Sequence, residues 1–391
     1  MVHSARMSGR RLVLVVALAL AVLGGAALAT RAVRAGPFAP ESHCWGAWAE
    51  DSGPRVLGAD YARVAEESGS PHRGEQAVCV MAYGVPGTEE MQHPDTSVTG
   101  DRAREGTGGD RLVARVGPPP RSTGGPRRAW LAEALHGNTV PLPEGLPGVV
   151  STDRGTLVLP EECDSGDVPL VVTVRSEGQV PELDSEREVT DLLLSLAETA
   201  REKAGCDGGR PTQLSAPVPT VPDGRPRSGG GPACRIAGMR FAPPAHGELA
   251  WYASAVGTRL QSCSLELSGD GDERDGGSEG NPGDGDDGQQ GPGGKVAARG
   301  QFVVTSHPRL VRLFAGMAGE RSPGDGWRGT GRIERRDGLV TAECRGRPTV
   351  FFLHLDGPLA SSAEPDVRHL FARSADSVTE RLGCPAVGPR S

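Results

Sequence analysis

The chain has 391 residues and a formal charge of −8, which leaves room for two domains and hardly for three. Its 57 glycines and 33 prolines approach the level at which part of a chain stays unstructured, and with aromatic residues at 4% any hydrophobic core is small. No segment carries the clustered positive face that nucleic-acid binding requires, so that function class is excluded.

Arg6, Arg10 and Arg11 precede an apolar run from Leu12 to Ala29. As a helix this run is about 27 Å long, close to the hydrocarbon thickness of a bilayer. The arginines favour a cytoplasmic N-terminus. The expectation is a cytoplasmic basic segment at 1–11 and a single membrane anchor at 12–29, with the bulk of the chain extracytoplasmic. The alternative is a secretory signal cleaved at Ala27-Leu28-Ala29, which releases the protein.

A first α+β domain is expected over 40–206. It opens on CWGAW at 44–48 and a strand, QAVCVMAY, at 76–83. An insertion follows at 85–127, read as a charged loop. Over 98–128 its arginines 102, 104, 111, 115, 121, 127 and 128 outweigh Asp101, Glu105 and Asp110, for a net +4. Next come a short helix at 129–137, a hairpin at 148–163 turning on Asp153-Arg154-Gly155, and a proline-entered strand at 169–174. The domain closes with an amphipathic helix whose apolar positions 189, 192, 193, 196 and 200 recur at helical spacing. Ser185-x-x-Glu188 is a capping box before it, and Gly205 suits its C-terminus.

A Pro/Gly linker, 207–232, is expected to hold no regular element. The same landmarks then return over 233–384. CRIAG at 234–238 answers CWGAW, and QSCSLELS at 261–268 answers QAVCVMAY. An acidic insertion, 269–295, follows the strand as before; its eight carboxylates against Arg274 and Lys295 give a net −6. A short helix at 308–316, a hairpin at 331–344 turning on Arg336-Asp337-Gly338, and a strand at 348–355 come next. The closing helix, with Ser361-x-x-Glu364 as its cap candidate, ends on Gly383-Cys384, and 385–391 is a tail. Val189 to Cys206 aligns with Val367 to Cys384 without a gap. The fold expected is therefore α+β: an N-terminal transmembrane helix, then two homologous domains, each an antiparallel sheet with helices mainly on one face. The insertions stand at equivalent points with opposite charge and are candidates to pair with each other.

Each half carries four cysteines in the same order: Cys44, Cys79, Cys163 and Cys206, then Cys234, Cys263, Cys344 and Cys384. No two are closer than 28 residues, so C-x-x-C zinc and redox motifs are absent. In an exported chain they read as four disulfides. Pairing within halves leaves three connectivities for each. The one favoured joins Cys44 to Cys79, Cys163 to Cys206, Cys234 to Cys263 and Cys344 to Cys384. On this choice a closed loop of 44 residues, 163 to 206 inclusive, restricts the unfolded chain by about 4 kcal/mol.

Residues for chemistry are few. Gly276-Gly277-Ser278-Glu279-Gly280 matches G-x-S-x-G, but it lies in a Gly/Asp run with no strand or helix beside it. In the acidic run Asp270 and Asp272 fit the start of an EF-hand loop, whereas Arg274 and Asn281 occupy positions that need acids. His354 reads as a surface histidine whose counterpart in the first half is Arg175. Trp45 and Trp48 read as core anchors beside a disulfide. No catalytic residue, metal ligand or cofactor site is identified.

The stretches CWGAWAEDSGP at 44–54 and PLPEGLPG at 141–148, with the helices ending in Gly-Cys, resemble an uncharacterised family of actinobacterial membrane-anchored extracytoplasmic proteins. The resemblance implies the topology above and transfers no activity. The function expected is a non-catalytic binding or accessory module, serving an envelope protein or cell-wall partner or a small ligand held between the halves. The alternative is an envelope hydrolase with an unrecognised active site.

Overall fold

A computed structural model describes residues 42–49, 52, 62–84, 111–177, 183, 185–206, 214–221, 227–228, 231–244, 247–254, 259–269 and 296–389. The apolar run 12–29, the acidic insertion and most of the basic one lie outside these residues. Among the described residues no helix is long and apolar enough to cross a membrane.

The first half holds strands β1 (Ser42–His43), β2 (Trp48–Ala49), β3 (Ala62–Ser68), β4 (Ala77–Gly84) and β5 (Arg111–Gly117). Helix α1 (Gly125–Ala134) follows, then β6 (Val140–Pro141), β7 (Gly148–Val150), β8 (Arg154–Val158), β9 (Val171–Glu177) and α2 (Glu186–Lys203). Next come β10 (Arg227–Ser228), β11 (Leu249–Ala253), β12 (Leu260–Ser268), β13 (Val296–Thr305) and α3 (Pro308–Val311), which continues as a 3-10 turn to Phe314. The chain closes with β14 (Thr330–Ile333), β15 (Asp337–Cys344), β16 (Arg347–Leu355), α4 (Gly357–Ser361) and α5 (Val367–Leu382).

Two seven-stranded antiparallel sheets result, in the orders β3-β4-β5-β9-β8-β7-β6 and β10-β11-β12-β13-β16-β15-β14. Apart from the outermost partners β6 and β10, the orders correspond strand for strand. The ladders fix the register: Arg154 faces Arg175 and Thr156 faces Thr173 in the first half, as Asp337 faces His354 and Leu339 faces Phe352 in the second. The backbone repeats in detail as well. Cys44 and Trp45 have φ of 53° and 62°, and Cys234 and Arg235 have φ of 51° and 56°, left-handed values that non-glycine residues seldom adopt.

Strand alternation sorts the side chains into three cores. On one face of the first sheet Leu112, Leu157, Val172 and Val174 pack under Val189, Leu193 and Leu196 of α2. In the second sheet Phe302, Val340, Phe351 and Leu353 pack under Leu370, Phe371, Ala375 and Val378 of α5. The remaining faces look at each other. Leu131, Leu135, Val149, Val158 and Val171 meet Leu260, Val303, Phe314, Leu339 and Phe352 there, in one core shared by both halves. Helices consequently cover both faces of each sheet, a long one outside and a short one between. The one-face expectation fails because β5, β8 and β9 carry apolar residues on both faces, and each face needs cover.

The disulfides join Cys44 to Cys79, Cys163 to Cys206, Cys234 to Cys263 and Cys344 to Cys384, the within-half connectivity favoured above. Ser185 caps α2 by accepting from Glu188 N, and Gly205 and Gly383 follow the long helices at φ of 62° and 64°. Helix α5 differs from its expectation: Asp366 caps it, accepting from His369 N, because Ser361 is already the last residue of α4. Two segment readings also change. Residues 111–127, assigned above to the first insertion, contain β5 and the first turn of α1. The linker contributes β10 to a sheet edge. Its residues 214–221 lie on the first half, where Glu144 accepts from Ser215 N at 2.6 Å and Ala216 N at 2.8 Å, and Val221 N donates to Glu186 Oε1 at 2.7 Å.

Candidate functional site

Helix α1 belongs to the first half by sequence, yet its C-terminal end is held by the second. Helix ends leave carbonyls without partners. Here Leu135 O accepts from Ser262 Oγ and from Gln301 Nε2, the latter at 2.7 Å, and Gly137 N donates to Ser264 Oγ at 2.9 Å. A side chain at Gly137 would run into Tyr252 O and Ser264 N, so only glycine permits this approach. Arg128 adds an ion pair to Asp337 at 3.0 Å, and Arg127 Nη1 donates to Leu313 O at 3.4 Å. Both arginines were counted above as part of a charged loop.

Between α1 and the first sheet runs a groove with about 70 Å³ of free volume. Arg115, Thr156, Thr173 and Arg175 stand on its sheet side, and Trp130 and Glu133 on its helix side. Arg175 Nη1 donates to Glu133 Oε1 and its Nε lies 4.0 Å from Glu177, which also takes Arg111 at 2.8 Å. Arg154 donates from Nε and Nη2 to Asp153 Oδ2 at 2.9 and 2.6 Å. Burial pushes Asp153 up, but the bonds from Arg154 and Ser151 outweigh it and hold the carboxyl below its usual range. Arg115 is different: its Nε is buried with no hydrogen-bond partner among the described residues.

At the seam between the halves, just past the end of α1, the His136 ring tilts against Tyr252 at 5.4 Å between centroids. Its Nδ1 accepts from Asn138 N at 3.1 Å, which places the ring proton on Nε2 in the neutral form. Burial first, then the positive charge of Arg154, pushes this histidine down to about 3, so it stays neutral at ordinary pH. Burial and the neighbouring Glu266 raise Tyr252.

His354 is not a free surface histidine. Its Nδ1 bonds Asp337 Oδ1 at 2.6 Å and its Nε2 lies 4.0 Å from Asp356, with the side chain 23% exposed. Its cross-strand neighbours are Gln301 and Asp337. Trp48 is a core anchor, 1% exposed, its indole N–H donating to Leu192 O at 3.1 Å. Trp45 is partly buried and donates to Gly69 O at 2.9 Å. The G-x-S-x-G match and the EF-hand-like run fall outside the described residues. Among those described, no group of three or more His, Cys, Asp or Glu side chains is placed to hold a metal ion.

The structure brings Arg115, Arg154, Arg175, Trp130 and Glu133 together, and reading along the chain singled out none of them as a site. One signal was available: β5 alternates Leu112, Ala114 and Val116 with Arg111, Val113 and Arg115, a period of two inside a segment taken for a loop. Comparison of the chain with known protein families, with curated proteins and with solved structures finds no match.

Proposed function

We propose that this chain is an extracytoplasmic binding module that holds a small ligand in the groove between α1 and the first sheet. Four disulfides fit an oxidising compartment. The apolar run 12–29 supplies the route there, as a membrane anchor or as a signal cleaved on export. The observation that carries the reading is an asymmetry between copies. In register, Arg115, Thr156 and Thr173 of the first sheet correspond to Val303, Leu339 and Phe352 of the second, all buried in the shared core. One half fills the space beneath its short helix with apolar side chains. The other keeps it open and polar, the combination that small-ligand sites show. A hydrolase reading would rest on His354 and Asp337, but among the described residues no serine, threonine or cysteine hydrogen bonds that histidine.

The test is a thermal-shift screen of small metabolites on the wild-type chain and on Thr173→Phe, which installs the second half's residue and closes the groove. Compounds that raise the melting temperature of the wild type should leave the variant unmoved. Equal stabilisation of both proteins by every hit would place binding elsewhere and end this reading.

A further inference from the structure

We propose that the groove selects a small monocarboxylate, its carboxylate on Arg115 and its apolar body along Trp130. The inference rests on the groove being the ligand site. It adds the chemical class of the ligand, which follows from charge. Arg111, Arg115, Arg154 and Arg175 carry four positive charges on or beside the groove, and Asp153, Glu133 and Glu177 carry three negative ones. Each carboxylate is committed to a named arginine: Asp153 to Arg154, Glu133 to Arg175, and Glu177 to Arg111. One positive charge is left over, and it is the one on Arg115.

The uncommitted donor is also the desolvated one. A buried guanidinium N–H without an acceptor costs free energy that an incoming oxygen removes. A carboxylate matches the guanidinium edge with two oxygens, where a neutral amide offers one. Thr173 is the cross-strand neighbour of Arg115 on β9, so a hydroxyl stands beside the charge. Glu133 and Glu177 also line the groove and would repel a second negative charge. That excludes dianions such as hydrogen phosphate. Val113, Val171 and the Trp130 ring supply the apolar wall. In the second half Val303 replaces the arginine, so among the described residues the equivalent position of the second copy offers no such site.

Benzoate, benzamide and inorganic phosphate separate the possibilities when titrated into the full chain. The readout is the Arg115 Nε–H and Trp130 Nε1–H resonances, assigned by substitution. Benzoate should shift both saturably, benzamide should bind about 10-fold more weakly or worse, and phosphate should displace nothing. Arg115→Gln should lose benzoate by about 10-fold or more, while Arg115→Lys keeps part of it; an unchanged wild-type melting profile in each variant shows that the fold survives. Benzamide matching benzoate at Trp130 would overturn the anion preference and leave the groove as the ligand site. Phosphate outcompeting benzoate would overturn the monoanion. If benzoate moves neither resonance at tens of millimolar the proposal fails; if Thr173→Phe also keeps every hit of the screen, the ligand-site reading fails with it.

Discussion

Arg309 and Arg312 lie one turn apart on α3 and its continuation, and both reach across to the first half, under very different conditions. Arg309 forms a two-pronged pair with Asp164, Nη1 to Oδ2 at 2.7 Å and Nη2 to Oδ1 at 2.5 Å, and its Nε donates to Leu159 O at 2.9 Å. These side chains are 13% and 2% exposed. Arg312 instead meets Glu161 and Asp167, whose side chains are 70% and 100% exposed. Removing one partner of a buried pair strands a charge, so Asp164→Ala should cost about 3–5 kcal/mol. Arg312→Ala should cost under about 1 kcal/mol, because water already screens its partners. Urea denaturation of the two variants checks this, and equal losses would contradict the burial assigned to the Asp164 pair. In the repeat alignment Arg309 and Arg312 answer Trp130 and Glu133, so the same two positions tie the halves together in one copy and line the groove in the other. No single-residue rule distinguishes these roles; the surroundings do.

At the scale of elements, each sheet meets its long helix at a glycine. Gly155 on β8 lies under Val189 and Leu193, and Gly338 on β15 lies under the ring of Phe371, where an added Cβ would come within 2.8 to 2.9 Å of three ring carbons. Gly338→Ala should therefore lift α5 from the sheet and cost about 1–3 kcal/mol. The double variant Gly338→Ala/Phe371→Leu should recover part of that, since Leu193 is the first half's own answer at this position. Thermal melts decide it, and an unaffected single variant would mean that the helix does not sit this close. Elements of this kind were legible in the sequence. The period of α2 and α5, the glycines after them, and the strands around Cys79, Cys263 and Val350 are written in local spacing. Strands β3, β5, β11 and β13 were not recognised. Arginines and small residues dilute their apolar alternation, and β5 sits next to a Gly-rich stretch that reads as loop.

For the whole molecule, the disulfides are confined within halves, so among the described residues the shared core, its crossing bonds and the contacts of linker residues 214–221 with the first half hold the halves together once the chain is cut. A protease site placed at 209–210, followed by cleavage, should leave two fragments that co-elute on size exclusion without reductant. Fragments that separate would show that Leu260, Val303, Phe314 and Phe352 do not bury against the first half. The cysteine order, the duplication and the closing helices could all be read along the chain, because each depends on neighbours a few residues apart or on a repeated order. Which copy keeps its groove could not. That depends on which side chain of β5 faces which residue of β9 beneath a helix anchored on the other sheet, and on whether a carboxylate lies near enough to claim each arginine. Burial and pairing are properties of three-dimensional neighbours, and Arg115 becomes distinct from the other basic residues around it only when the sheets close on each other.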